Sequence, residues 1–308
     1  MTIDLQIGGY VIRLNEPEGH ACLDWPFSTF EPFVTAASLA PDITMTVRVV
    51  ERLPDLPRGS LLYDACQGLW TWHEADAGYL LDSPYRNTRE PEAVALVSED
   101  IRTASVWVIG RQEGTPRLGW SPLHIINPIV EVCLLTRLAR DGGLLLHAAG
   151  LLTEQGGPAE QYGWAFTGAS GAGKSTISAL YAARGARVLS DERIILRMVE
   201  STIRVFGTPW PGSGCHARNQ QGPLTGLFCI RHGQDSHVLR RMPPGAAASF
   251  ILPQCFLPHW DRAAMDGTLA FLDAVIETVG CSDLAFMDTP DVVEFLNEQR
   301  LARAAVPS

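Results

Sequence analysis

Four things are missing from this sequence, and each absence narrows its function. Positive charge is not in excess: 24 Lys and Arg stand against 34 Asp and Glu, for a formal net charge of -10. That argues against a nucleic-acid binder working through a general basic field, though not against a local basic patch around an anionic nucleotide. No stretch approaches about 18 uninterrupted apolar residues, so no membrane span is expected. The N-terminus carries no basic segment followed by an apolar one, so no secretory signal is expected. Paired cysteines are also missing. The seven cysteines (Cys22, Cys66, Cys133, Cys215, Cys229, Cys255 and Cys281) are scattered and none forms a C-x-x-C pair. An odd, unspaced set reads as reduced thiols of a cytoplasmic protein, not as a disulfide frame or a zinc site. Cys215-His216 has no second pair at metal spacing and is not expected to hold an ion.

What is present is a chain of 308 residues, 46% hydrophobic and 19% charged, long enough for one large domain or two ordinary ones. Residues 1–122 read as β-rich. Ile43, Met45, Val47 and Val49 alternate with polar neighbours, the period of a half-buried strand. Leu69 to His73 and Tyr79 to Leu81 flank a short turn at Ala75 to Gly78, which predicts a hairpin. Ala93 to Ser98 and Ile101 to Ile109 flank Glu99-Asp100 and predict a second. Trp70, Trp72 and Trp107 read as core packing of a small sheet. His73 and Glu74 are adjacent on a strand, face opposite ways and receive no role. At Asn127-Pro128 the character changes to a helix start followed by a strongly apolar helix that ends at Asp141-Gly142-Gly143. The domain boundary is therefore expected just before it, near residue 122. Residues 1–122 would form an accessory or substrate-binding domain, and 123–308 the catalytic one.

Within the second part lies Gly168-Ala169-Ser170-Gly171-Ala172-Gly173-Lys174-Ser175-Thr176, which fits G-x-x-x-x-G-K-[ST] at every defined position. A short apolar run, Gly163 to Thr167, precedes it. Ile177, Leu180 and Tyr181 follow at helical spacing, and Gly185 closes the helix. Strand, glycine loop and helix is the arrangement phosphate binding requires. Glycines let backbone N–H groups turn inward, and the helix N-terminus adds partial positive charge. Lys174 supplies a point charge, and Ser175 a hydroxyl for Mg²⁺.

Asp191-Glu192 ends an apolar strand 17 positions past Lys174, which leaves room for one short helix and one strand. A carboxylate there suits a metal ion, and a second suits an acceptor hydroxyl. His147 sits in the strand before the loop's own strand. By itself, a histidine inside an apolar run is ordinarily a core residue.

His147, the Gly168–Ser175 loop and Leu189-Ser190-Asp191-Glu192-Arg193 together resemble the kinase domain of HPr kinase/phosphorylase, and more distantly the nucleotide half of phosphoenolpyruvate carboxykinase. The similarity is closest to the HPr-kinase-like proteins of peptide-modification clusters such as those of lasso peptides. It covers roughly residues 123–308. It does not extend to residues 1–122 or to the segment around Gly207-Thr208-Pro209-Trp210. The resemblance implies an α/β fold with a mixed sheet, a P-loop kinase domain preceded by a β-rich domain. It implies ATP and Mg²⁺ as cofactors, with the metal near Ser175 and Asp191. It also implies that one acid of the 191–192 pair acts as base toward a serine hydroxyl with His147 beside it. Arg193, Arg218, Arg231, Arg240 and Arg241 are candidates to steady the transferring phosphoryl group.

The expected activity is phosphorylation of a serine in a peptide or small protein, with the β-rich domain holding the acceptor. Two alternatives stay open. One is a kinase of a small metabolite such as free serine, and the other is a nucleotide-sensing module without transfer. A carboxykinase reaction fits poorly, because the chain is short and no oxaloacetate constellation stands out.

Overall fold

The computed structural model describes residues 1–23, 25, 27–36, 39–65, 69–84, 91–112, 118–154 and 161–304. Cys66 and the loop Gln155-Gly156-Gly157-Pro158 lie outside the described residues. The contact pattern divides the chain into Met1–Asp141 with Pro258–Asp266, and Gly142–Leu257 with Gly267–Ser308.

The first unit contains β1 (Thr2–Ile7), β2 (Tyr10–Asn15), β3 (Ala21–Cys22), α1 (Phe27–Phe30), β4 (Val34–Thr35), β5 (Ile43–Val50), β6 (Leu61–Ala65), β7 (Trp70–Ala75), β8 (Gly78–Pro84), β9 (Pro91–Val97), β10 (Thr103–Ile109), β11 (Gly119–Trp120) and α2 (Glu131–Arg140). Nine of these strands form one sheet in the order β4-β1-β2-β5-β10-β9-β8-β7-β6. Both expected hairpins are present: Ala75 pairs with Gly78, and Val97 with Ala104. Alternation along β5 buries Ile43, Met45, Val47 and Val49 and leaves Thr44, Thr46 and Arg48 partly exposed. Trp72 is fully buried. Trp70 instead joins Tyr63 and Trp260 in a ring cluster, with centroids 5.3 and 5.1 Å away. The Arg48 guanidinium covers the Trp107 ring at 5.2 Å.

Helix α2 belongs to this unit, so the division falls at Asp141–Gly142 and not near residue 122. The change in composition at Asn127-Pro128 marks a change of element, and tertiary contacts decide the unit. Arg140 pairs with Asp261, Thr136 Oγ1 accepts from Trp260 Nε1 at 2.9 Å, and Tyr10 donates to Asp141 at 3.0 Å. Asn127, with φ −125° and ψ 112°, is the non-helical joint before the chain winds into α2.

The second unit contains β12 (Gly143–Glu154), β13 (Gln161–Thr167), α3 (Lys174–Ala182), β14 (Arg187–Ser190), β15 (Arg193–Val199), β16 (Thr202–Phe206), β17 (Gln221–His232), β18 (Val238–Arg241), α4 (Pro244–Ile251), β19 (Cys255–Phe256), most of α5 (Arg262–Val279), β20 (Ser282–Phe286) and α6 (Val292–Ala304). The sheet is mixed, as expected of an α/β fold: β13 runs parallel to β17 and β17 to β20, while β12 is antiparallel to β13 and β15. The strands β12 and β17, 12 residues each, are shared between two parts of the sheet. Residues 143–147 of β12 pair with β15, and 148–154 with β13. Strands β13, β12, β15, β16 and β17 thereby close a circuit, because β17 also pairs with β13.

Period-2 alternation sends side chains to two cores. Tyr162, Trp164, Phe166, Phe228, Ile230, Leu284 and Phe286 pack with α3 and α6. Leu144, Leu146, Ala165, Leu227 and Cys229 pack with α4 and α5. Helices on both faces fix the strand ends on which the candidate site is built.

Candidate functional site

The loop between β13 and α3 has the predicted context of strand, turn and helix. Gly171 and Gly173 have φ of +81° and +100°, a region that L side chains rarely occupy. At Gly173, the residue capping α3, a Cβ would lie 2.7 Å from Phe286 Cζ, and at Gly168 one would lie 2.8 Å from the Ile230 carbonyl oxygen. The glycines are thus required by backbone angle and by close approach. His232 Nε2 donates to the Gly171 carbonyl at 2.7 Å. Phe286 beneath Gly173 and His232 beside Gly171 therefore brace the loop from the ends of β20 and β17. Ala169, Ser170 and Gly171 are exposed at its tip.

Lys174 opens α3 and is the only lysine in the sequence. Every other basic side chain of permanent charge is arginine, so this position alone uses a compact ammonium. It is buried, and its Nζ donates to the carbonyls of Gly168 at 2.8 Å and Ala169 at 3.2 Å. Burial lowers its pKa, and the nearby Glu192 charge pulls the other way. Ser175 is exposed on the first turn of α3 and Thr176 is half-buried.

His147 is the last residue of β12 to pair with β15, opposite Arg193, and its neighbour Ala148 is the first to pair with β13. Its carbonyl accepts from Thr167 Oγ1 at 2.9 Å. Its Nε2 lies 3.3 Å from Glu192 Oε1, with 26% of the His147 side chain and 39% of the Glu192 side chain exposed. Burial, and then the Lys174 charge, lower the His147 pKa, while Glu192 opposes both. Lys174, Glu192 and His147 thus form one electrostatic group, assembled from α3, the turn after β14, and β12.

Asp191 differs from its neighbour. It is 1% exposed, and its Oδ1 and Oδ2 accept the backbone N–H groups of Gly212 at 3.0 Å and Gly214 at 2.7 Å. A Cβ at Gly214 would lie 2.7 Å from Asp191 Oδ2, and one at Gly212 would lie 3.2 Å from Glu192 Oε2. The segment at 207–214, which reads in sequence only as a run of breakers, is therefore a clamp that holds the acid pair in place. Gly212, Gly214, His232 and Phe286 were not predicted. The glycine density of Gly207 to Gly214 was the available signal for the first two, and the last two left none.

The candidate arginines are dispersed. Arg231 is engaged by Asp283 through two bonds of 3.0 and 2.8 Å. Arg193 stacks over Phe256 at 4.9 Å. Arg218, Arg240 and Arg241 are exposed. Among the described residues, Cys215 and His216 belong to no cluster that could share an ion. Among the described residues the trio that could is Glu16, Glu18 and His20. There the buried Glu16 carboxylate already accepts the N–H groups of Glu18, Gly19 and His20.

Chemically, the group offers an ammonium beside a glycine loop at a helix N-terminus, which suits an anion. Close enough to act on its charge is a partly exposed carboxylate beside an imidazole, which suits proton transfer. No protein-family model matches the chain, and a search of curated proteins finds no match. No helix among the described residues is long and apolar enough to cross a membrane.

Proposed function

We propose that this chain is an ATP-dependent kinase that phosphorylates a serine hydroxyl in a peptide or small protein. The observation that carries this reading is the grouping of Lys174, Glu192 and His147 beside a braced glycine loop whose tip is exposed. The loop N–H groups and the α3 terminus cradle the phosphates. Lys174 exchanges the Gly168 and Ala169 carbonyls for the outer phosphates. Glu192, steadied by His147, takes the proton of the acceptor hydroxyl. Asp191 acts chiefly by fixing the turn that aims Glu192. Mg²⁺ brought with the nucleotide adds Lewis acidity, and the oxygen donors for such a hard cation are Ser175 and the 191–192 carboxylates. Of these, Asp191 offers only the lone pairs that Gly212 and Gly214 leave.

Incubation with Mg-ATP and candidate peptides, or with free serine, should add one phosphoryl group to a peptide, read by mass spectrometry. Gain on free serine alone would move the reading to a metabolite kinase. Nucleotide at about 100 times its dissociation constant adds roughly 2.7 kcal/mol of stability, so Mg-ATP should raise the melting midpoint. Lys174→Ala should erase most of that rise, and an undiminished rise would count against the loop as a phosphate site.

A second reading, a nucleotide-binding module without transfer, is favoured by one observation: both Asp191 oxygens are engaged within the protein. It predicts a melting shift with ATP and no modified acceptor.

A further inference from the structure

The second unit contains a thiol pair that the proposed chemistry does not use. Cys229 on β17 and Cys281, just before β20, lie 52 residues apart in sequence with their sulfurs 3.3 Å apart. Both are buried. The strands that carry them are parallel neighbours, with Cys229 opposite Asp283 and Phe228 opposite Ser282. Cys281 follows Gly280, whose φ is +75°. It also lines a cavity of about 270 Å³ shared with Trp164, Phe228, Gly280, Arg241 and Arg300. Cys229 is not among that cavity's lining residues, so a small molecule entering it meets Cys281.

We propose that Cys229 and Cys281 are a modification site, forming a reversible disulfide when a small peroxide enters the cavity. A disulfide needs its sulfurs about 2.05 Å apart, so roughly 1.2 Å must close between β17 and the Gly280 turn that precedes β20.

The two thiols are unlike. The Cys229 sulfur beside Cys281 Sγ lowers the Cys281 pKa, and the backbone N–H groups of Cys229 and Ser282 lower it further. The same contact, together with burial, raises the Cys229 pKa. Cys281 is the sulfur that meets the cavity, so its thiolate is the nucleophile an entering peroxide reaches. Cys281 thiolate attacks one peroxide oxygen, the O–O bond breaks, and hydroxide leaves and is protonated to water. The sulfur, oxidised by two electrons, is now a sulfenic acid. Cys229 sulfur attacks it, the S–O bond breaks, and the leaving hydroxide takes the Cys229 proton as a second water. The net reaction is two thiols and one hydrogen peroxide to one disulfide and two waters.

The pair is placed to act on the glycine loop. β17 runs from Cys229 to His232, which holds the Gly171 carbonyl. β20 runs from beside Cys281 to Phe286, which lies under Gly173. Drawing the two sulfurs together displaces both braces. Any consequence for nucleotide binding rests on the reading above. The disulfide itself does not.

The test treats the full-length protein with hydrogen peroxide, alkylates the remaining thiols and maps peptides by mass spectrometry. The expected result is a cross-linked peptide joining Cys229 to Cys281. Two of the seven thiols are lost to alkylation and restored by dithiothreitol. Amide exchange across residues 168–173 should differ between the oxidised and reduced proteins. In Cys229→Ser, Cys281 should be trapped by dimedone as its sulfenic acid, whereas in Cys281→Ser, Cys229 should remain a free thiol. Oxidation of the exposed Cys215 with Cys229 and Cys281 still alkylatable would overturn the site. A cross-link that leaves exchange at 168–173 unchanged would overturn its link to the loop.

Discussion

Asp191→Asn keeps the shape of the side chain and removes one acceptor. The native carboxylate takes Gly212 N–H on one oxygen at 3.0 Å and Gly214 N–H on the other at 2.7 Å, in a place only 1% exposed. Asparagine has one oxygen and one NH₂ group, so either flip sets an amide donor against a backbone donor. One hydrogen bond to a charged group is lost, and one N–H is left without a partner and without water. Such a loss costs about 2–3 kcal/mol. For a unit of this size the midpoint falls about 2–4 °C per kcal/mol, a drop of roughly 4–12 °C.

Glu192→Gln is the control. Its carboxylate is partly exposed and touches His147 at 3.3 Å, and a pair of that kind contributes about 0–1 kcal/mol. Its midpoint should move by less than about 4 °C, whereas phosphoryl transfer should be lost. Scanning calorimetry of the two variants beside the parent, each followed by the transfer assay, reads both quantities. Equal midpoints for Asp191→Asn and the parent would refute the clamp. Asp191 would then be free to serve as the metal ligand that its position after an apolar strand first suggests.

Other expectations follow from the same geometry. Reductive ¹³C-methylation labels Lys174 and the N-terminus alone, so an NMR titration can follow the single lysine. Its pKa should lie below 10.5, and a value at or above that would contradict its burial. Because burial and the Lys174 charge lower the His147 pKa from 6.5, the unfolded chain binds more protons there than the folded one. Stability is fully present above the unfolded value and falls as pH drops toward the folded one. His147→Gln should therefore flatten the decline in urea-unfolding free energy between about pH 7 and 5, and an unchanged slope would remove His147 from it. Gly171→Ala meets only the backbone penalty of a left-handed angle, about 1–2 kcal/mol. Gly173→Ala meets that and the Phe286 ring at 2.7 Å, so calorimetry should find it the less stable of the two.

Where the fold and the candidate site were legible in the sequence, the signal was local. Gly168 to Thr176 could be read because loop geometry, helix start and lysine occupy consecutive positions, and Asp191-Glu192 because one helix and one strand fix its distance from them. The hairpins of the first unit declared themselves by alternation and turn residues. What stayed hidden is contact across the fold. Gly212 and Gly214 reach back 21 and 23 residues to Asp191, and no periodicity records that. The nearness of Cys229 to Cys281 follows from β17 and β20 being neighbours, which neither segment encodes alone. Helix α4, rich in alanine with a proline and a glycine in its first turn, has too little amphipathic contrast to announce itself. The unit that takes α2 is hidden for a related reason, since apolar character marks an element as buried but not which core buries it.

The division of labour between Asp191 and Glu192 has a structural logic that adjacency alone does not supply. Two carboxylates in sequence repel, and both ionised in one low-dielectric spot would each be costly. Here the chain separates them. The turn after β14 sends Asp191 inward to two backbone N–H groups, and sends Glu192 outward to His147 and the field of Lys174. The inward acid needs no cation, because Gly212 and Gly214 satisfy it, and their lack of side chains is what lets the backbone come so close. The outward acid lies beside an imidazole whose pKa is lowered by burial and by the Lys174 charge. A protonated partner would hold Glu192 as a tight ion pair and weaken it as a base. The depressed His147 pKa and the proposed base role of Glu192 are therefore one feature, and His147→Lys, which installs a permanent charge, should lower the transfer rate even where Glu192 is intact.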